Sequence, residues 1–227
     1  MTWQRLVAGL AACCAVLLAT STAEAQKVRA PPPGTPRWMF TLAGGKLEPE
    51  LEGFEAAYGD ADAGYVGAGF AYLFRPWLEA GAELGYMSEK GVGVIASQGV
   101  PGGEVEYSLL PVHFFLTFRG LFKSDQLFVP YVGFGATSAF YEQKIELQGD
   151  RSGWSDTGSM ARLGVQLYLN RLDSDTAGGY GEGAIKQTYL YLEAQRISTK
   201  QSDIELGGDA LVLGVRFTVG PNIDGAR

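Results

Sequence analysis

From residue 38 onward, apolar side chains recur at every second position of the sequence. The clearest segment is 78–86, where leucine, alanine and tyrosine alternate with glutamate and glycine. Because successive side chains of a β-strand point to opposite faces, such a segment has one apolar face and one small or charged face. No long stretch has apolar residues at helical spacing. The predicted fold class is therefore all-β.

Eight segments carry this alternation, most strictly 78–86, 161–169, 188–194 and 211–219; the others are 38–47, 64–74, 107–119 and 128–145. The charged residues share a face with glycine, and the opposite face is apolar. A soluble lipocalin-like barrel would have the inverse arrangement. The pattern predicts an eight-stranded antiparallel up-and-down transmembrane β-barrel over residues 38–220, followed by a short tail at 221–227.

The connections between these segments alternate in length. Arg75-Pro76 joins the second and third segments and residues 122–126 join the fourth and fifth, whereas 48–62 and 87–103 are long. Outer-membrane barrels have short turns on the periplasmic side and long loops on the other. Residues 171–186 are long and glycine-rich on the short-turn side, and the sequence leaves their role open.

The first 25 residues have the pattern of an export signal peptide. Arg5 precedes an apolar run at 6–19, and the small-residue site Ala23-Glu24-Ala25 follows. The run is shorter than the roughly 20 apolar residues of a membrane-spanning helix, so the sequence predicts cleavage after Ala25. The competing interpretation is a lipoprotein acylated at Cys13, although the apolar run continues past that cysteine.

Cleavage after Ala25 would remove both cysteines, Cys13 and Cys14, and leave no thiol for a disulfide, a nucleophile or a metal ligand. Residues 26–37 then form a proline-rich periplasmic linker. A mean hydropathy of +0.02 suits a barrel that is apolar at every second residue. The net charge of −7, without a basic run, argues against a nucleic-acid partner. We expect no cofactor.

Three motifs resemble those of a known family: Pro-Tyr-Val-Gly-Phe-Gly at 130–135, the glycine-alternating 81–86, and Tyr-Leu-Glu-Ala-Gln-Arg at 191–196. They look like the eight-stranded barrels related to the outer membrane protein A barrel domain and the opacity proteins, without the peptidoglycan-binding domain. The resemblance implies a monomer in the outer membrane of a Gram-negative cell, inserted by the barrel assembly machinery among lipid and lipopolysaccharide. The sequence departs from the family pattern at its C-terminal end. The last strand of the family usually ends on an aromatic residue, whereas here Phe217 is followed by ten residues.

Charged and amide side chains on the inward phase form the candidate site. They are nearly balanced in sign, and unpaired charge inside so narrow a barrel would be desolvated at large cost. We therefore predict a lumen charge network that blocks the barrel, in which Arg162 bridges at least Glu193. A permanent plug is favoured over a gate whose pairs switch partners. The predicted members are Glu79, Glu83, Arg119, Arg162, Gln166, Glu193, Gln195 and Arg216.

His113 is the one histidine in the sequence and falls on the inward phase. Catalysis would require an activated nucleophile and an orienting acid beside it. Ser108 and Thr117 are on the same segment, but Ser108 has the opposite phase. We expect no enzyme activity, with lipid-A modification by such a constellation as the alternative.

Two further residue groups have an ordinary structural interpretation. The acidic loop comprises Glu48, Glu50, Glu52, Glu55, Asp60 and Asp62. It lacks the spacing of a calcium loop and is interpreted as solvated, so no metal site is predicted. Trp38, Trp77 and Trp154 lie near segment ends, as in an interfacial aromatic girdle.

The sequence thus predicts a small outer-membrane barrel with a plugged lumen and a role in membrane structure or surface interaction. A narrow pore, or a barrel that transports small or apolar solutes, is the alternative. The sequence does not identify a ligand or surface partner.

Overall fold

The structure is a computed structural model that describes residues 37–51, 53–95, 100–121, 126–146, 149–171, 185–202 and 204–220. The predicted signal peptide with Cys13, nearly all of the linker and the tail at 221–227 lie outside the described residues. Most of the 122–126 turn and of the 171–186 connection lie outside them as well.

Strands account for almost all of the described chain. They are β1 (Trp38–Pro49), β2 (Ala63–Arg75), β3 (Leu78–Ile95), β4 (Val100–Arg119), β5 (Phe128–Ile145), β6 (Arg151–Trp154), β7 (Gly158–Tyr168), β8 (Ile185–Ser198), β9 (Lys200–Gln201), β10 (Ile204–Glu205) and β11 (Gly208–Val219). One short helix, α1 (Phe54–Tyr58), lies between β1 and β2, and a 3-10 turn (Leu169–Arg171) follows β7. None of the described helices is long and apolar enough to cross a membrane.

Eight of these strands close into an antiparallel barrel. β1 pairs with β2 on one side and with β11 on the other, from Trp38 opposite Val219 to Pro49 opposite Gly208. The remaining neighbours are β2–β3, β3–β4, β4–β5, β5–β7, β7–β8 and β8–β11. β6 is a short addition that pairs with the outer part of β5. Closure pairs both edges of each wall strand in the described part of the sheet. The predicted eight-stranded all-β fold is confirmed.

The alternation predicted from the sequence is seen in the burial of the side chains. In β3, Glu79 and Glu83 are buried inside the barrel, while Leu84 and Tyr86 are about half exposed on its outside. In β4, His113 is buried, and Phe114 is the most exposed large apolar residue that the structure describes. In these strands, charged and polar side chains thus face the inside of the barrel, and apolar side chains cover its outside.

The predicted loop at 87–103 is wrong, because β3 continues to Ile95 and β4 begins at Val100. Apart from Met87 and Val92, residues 87–93 are polar or glycine, so they lack the apolar alternation that marks a strand in lipid. They are nevertheless paired, with Glu89 opposite Tyr107 and Gly91 opposite Val105. A hairpin that extends beyond the membrane needs backbone pairing and no apolar face. The other long loop, 48–62, contains α1.

Candidate functional site: the charged lumen

The structure places all eight predicted network residues inside the barrel. The most exposed of them are Glu83 and Arg119, each at 4%. They project from β3, β4, β7, β8 and β11, strands on different sides of the lumen. These side chains come together because each lies on the inward phase of a barrel too narrow for a water-filled channel.

Arg162 lies at the centre of this arrangement. Its guanidinium is 3.4 Å from the Glu83 carboxylate, 3.8 Å from Glu79 and 3.9 Å from Glu193. The predicted contact between Arg162 and Glu193 is thus present. The same guanidinium donates to Thr117 Oγ1 at 2.6 and 3.2 Å. It contacts carboxylates of two strands, β3 and β8, and so ties opposite parts of the wall together.

Arg216 forms a second cationic centre beside the first. It donates to Glu193 Oε2 at 3.2 Å and lies 3.7 Å from Glu79 Oε1. The guanidinium lies over the rings of Tyr131 and Tyr191, at 4.6 and 4.4 Å from their centroids. Cation–π contacts of this kind are strongest where water is excluded. Glu79 and Glu193 therefore each contact both arginines.

Gln195 connects two of the carboxylates. Its side-chain amide donates to Glu193 at 2.7 Å and to Glu83 at 3.0 Å. We call Glu79, Glu83, Arg162, Glu193, Gln195 and Arg216 the central cluster. Its charged members pair with one another across β3, β7, β8 and β11, as buried charges require. Glu79 Oε2, Gln195 Oε1, and Arg216 Nε and Nη1 have no hydrogen-bond partner among the described residues.

Arg119 and Gln166 are separate from the central cluster. Arg119 donates to Gln166 at 3.0 Å and lies 5.3 Å from the centroid of the Tyr189 ring. Within the part of the chain that the structure describes, no ion pair joins them to the central cluster. The predicted single network is therefore two groups, with Arg119 and Gln166 nearer the end at which β4 finishes.

Inward glycines leave the room that these large side chains occupy. A Cβ at Gly133 would lie 2.8 Å from Arg162 Nε, and one at Gly85 would lie 2.2 Å from Tyr65 Oη. Gly164 and Gly214 give the same room to Tyr131 and Tyr191. The glycine-rich face seen in the sequence thus provides the space that arginine and tyrosine side chains occupy. Sequence reasoning missed Tyr131, Tyr191 and Thr117 as members of the lumen packing.

An apolar layer lies between the central cluster and the long-loop end of the barrel. We call it the outer apolar layer: Leu47, Phe54, Met87, Tyr107, Leu109, Ala139, Ile197, Leu206, Ala210 and Val212, all buried. Phe54 comes from α1 instead of the wall, and its ring lies 4.6 Å from Tyr58 and 6.2 Å from Tyr107. A Cβ at Gly91 would lie 2.1 Å from the Ala57 carbonyl oxygen, so glycine lets β3 approach α1 closely.

His113 lies within this filled interior. It is fully buried, opposite Glu83 on β3 and Thr137 on β5. Neither ring nitrogen has a hydrogen-bond partner among the described residues. Ser108 lies on the other phase of the strand. The structure therefore places the acid Glu83 beside His113, but it does not place Ser108 there.

The acidic loop is partly neutralised by basic neighbours. Asp62 lies 2.6 Å from Lys46, and Arg196 contacts both Glu50 and Asp209. Glu52 lies outside the described residues, and no group of three or more potential metal ligands occurs among those described. On β9 and β10 of the same end, the Lys200 ammonium lies 2.7 Å from Glu205 and lowers the pKa of that carboxyl.

The three predicted girdle tryptophans lie at the two ends of the wall. Trp38 and Trp154 are about half exposed. Trp77, in the β2–β3 turn, stacks on Phe118 with their centroids 6.2 Å apart. Trp154 lies 5.5 Å from Phe140 at the long-loop end. These positions are typical of aromatic anchors at membrane interfaces.

No protein-family model matches the chain, and no curated protein matches it. Solved structures of small barrels do. Neisserial surface protein A is 13% identical with a TM-score of 0.45, over 80% of this chain and 96% of that one. The outer membrane protein OprG from Pseudomonas aeruginosa is 12% identical with a TM-score of 0.46, over 82% and 95%. Ail, the attachment invasion locus protein of Yersinia pestis, is 13% identical with a TM-score of 0.41, over 80% and 99%.

The barrel's own surface determines where it resides. Phe40, Phe70, Phe114, Phe134 and Leu213 are each about half exposed or more on the outside of the wall, while charged side chains are buried within. A closed sheet with an apolar exterior and a polar interior is the β-structure that spans a bilayer, and an even number of antiparallel strands is typical of bacterial outer-membrane proteins. The chain is an outer-membrane β-barrel.

Proposed function

We propose that this chain is a small, monomeric outer-membrane barrel with a permanently filled lumen. It contributes to the membrane's structure and offers its outer hairpins and loops for surface interaction, without catalytic activity. The observation that carries the proposal is the filling of the lumen by two successive layers, the central cluster and the outer apolar layer. A solute that entered from either end would meet one of them.

The two layers oppose passage for different physical reasons. The central cluster fills the lumen with paired side chains whose separation would leave buried charges unpaired. The outer apolar layer offers an ion few polar groups besides the Tyr107 hydroxyl, so entry costs most of the ion's hydration. Support for permanence comes from Arg162, which contacts three carboxylates and a threonine at once. If Arg162 lost one of these four contacts, the other three would still hold its side chain in the lumen.

Transport through the wall is the alternative function, and it would require a gap between strands. Every neighbouring pair of the eight wall strands is hydrogen-bonded in the described part of the sheet. An enzyme that modifies lipid A would need a nucleophile and a histidine that lipid can reach, and His113 is fully buried. Both observations favour the closed, non-catalytic barrel.

Solute flux tests the proposal. The protein is reconstituted into liposomes and swelling is followed in isotonic arabinose, with protein-free liposomes and a wide porin as the two controls. Heat-modifiability on a gel verifies that the barrel is folded in the same liposomes. We expect swelling no faster than in protein-free liposomes. Swelling comparable to that with the porin would contradict a filled lumen.

A further inference from the structure

The described parts of the two barrel ends differ in the sign of their charge. At the end that contains the short β2–β3 turn, the described residues 37–38, 74–78, 119–121, 126–128, 168–171, 185–187 and 219–220 include arginine and lysine but no aspartate or glutamate. We call these ranges the periplasmic rim. At the other end, acidic residues outnumber basic ones in the described loops and hairpins. The described part of the short-turn end therefore carries a net positive charge.

Within the periplasmic rim, the guanidinium of Arg37 contacts an outward-facing tyrosine. Its backbone N–H donates to the Val219 carbonyl at 3.2 Å, and its carbonyl accepts from the Leu73 N–H at 2.7 Å. The guanidinium is exposed and donates to the Tyr72 hydroxyl at 2.9 Å. Tyr72 is an outward residue of β2. Among the described residues, the position of the cation is thus set by the sheet and by the Tyr72 hydroxyl.

An aromatic cluster lies directly beside this guanidinium. The rings of Trp38 and Phe74 lie 5.1 and 5.2 Å from the ring of Tyr72, both edge to face. Trp38 and Phe74 are each about half exposed on the outside of the wall. Aromatic groups at the end of the apolar belt mark the level of the lipid headgroups. Arg37 therefore lies where a phospholipid carries its phosphate.

Within the part of the chain that the structure describes, no carboxylate forms an ion pair with Arg37 or with Arg75 at the end of β2. A guanidinium beside the hydrocarbon belt is poorly solvated, and its planar donors match phosphate oxygens. We propose that Arg37, oriented by Tyr72, binds the phosphate of an anionic glycerophospholipid of the periplasmic leaflet, and that Arg75 adds attraction. This inference rests on the proposed placement of the barrel, with its short turns on the periplasmic side.

Lipid binding to the folded barrel tests the inference. Native mass spectrometry of the detergent-solubilised protein measures binding of phosphatidylglycerol and of zwitterionic phosphatidylcholine. One cation near an anionic surface contributes about 1 kcal/mol, so Arg37→Gln should weaken phosphatidylglycerol binding about fivefold. Tyr72→Phe should weaken it less. Lys90→Gln is the matched control, because Lys90 is an exposed cation on the opposite end, 3.9 Å from Glu106.

Several outcomes would overturn the inference. Equal phosphatidylglycerol affinities for the wild type and Arg37→Gln would do so, as would wild-type binding of phosphatidylcholine as tight as that of phosphatidylglycerol. Displacement of the lipid by inorganic phosphate at equal concentration would show that free phosphate is the ligand. A gel of boiled and unboiled samples reports barrel folding separately, so a failure of the lipid site is distinguished from a failure of the membrane barrel itself.

Discussion

Arg162 and Glu83 are 79 residues apart in the sequence and 3.4 Å apart in the lumen. The contact joins β7 to β3, which are not neighbours in the sheet. A charge pair across the barrel interior can form only when the lumen is narrow enough for two side chains to meet. The presence of this pair therefore means that the barrel is narrow enough for its own side chains to close the lumen.

Removal of this arginine should destabilise the barrel strongly. Arg162→Ala leaves the carboxylates of Glu79, Glu83 and Glu193 short of a buried partner, which typically costs about 3–5 kcal/mol. Arg151→Ala removes an exposed arginine of β6 and should cost about 0–1 kcal/mol. Urea unfolding of both variants in lipid vesicles measures the difference. Equal losses would mean that the central cluster contributes little to stability.

Glycine substitutions test the packing around the same arginine. Gly133→Ala places a methyl group 2.8 Å from Arg162 Nε and 2.9 Å from Thr117 Oγ1, and overpacking of this kind costs about 1–3 kcal/mol. Gly44→Ala is the matched control, because a Cβ there meets nothing within 4 Å. We expect a lower unfolding midpoint for the first variant and little change or a small gain for the second. Destabilisation by Gly44→Ala without destabilisation by Gly133→Ala would contradict the packing described here.

The sequence alone identified the inward residues but not their partners. The alternation in 78–86 assigns Glu79 and Glu83 to the lumen, because side-chain direction follows from the period of two. Which groups meet across the lumen depends on register and strand tilt, which no single segment encodes. That is why Thr117, an acceptor for Arg162, was not predicted as part of the site, and why Arg119 and Gln166 were joined to a cluster from which the structure separates them.

The ends of the strands and the burial of Phe54 in the lumen were also beyond sequence reasoning. Residues 87–92 pair outside the apolar belt, so they lack the alternation that identified the strands. Phe54 lies in an acidic loop, and its burial depends on α1 contacting Gly91 of a distant hairpin. The local sequence pattern predicts neither this strand pairing nor the burial of Phe54.

The buried histidine should be dispensable for envelope chemistry. His113→Ala removes a side chain that faces Glu83 and Thr137 inside the barrel and is fully buried. Mass spectra of lipid A from cells with the wild type, with the variant and without the protein should be identical. A deacylated or acyl-transferred lipid A that depends on His113 would restore the enzyme interpretation.

Export should remove the N-terminal segment. Sequencing of the protein recovered from outer-membrane fractions should begin at or near Gln26, because the small-residue site ends at Ala25. Mass spectrometry of the same N-terminus checks for lipid. Acylation at Cys13 would establish the lipoprotein interpretation instead.

Single-channel recording in planar bilayers tests the filled lumen most directly. The wild type and Arg151→Ala should show small or no conductance, because the central cluster and the outer apolar layer remain intact in both. Arg162→Ala should show larger and noisier openings, since it disrupts the central cluster. A wide, steady pore in the wild type would contradict the account.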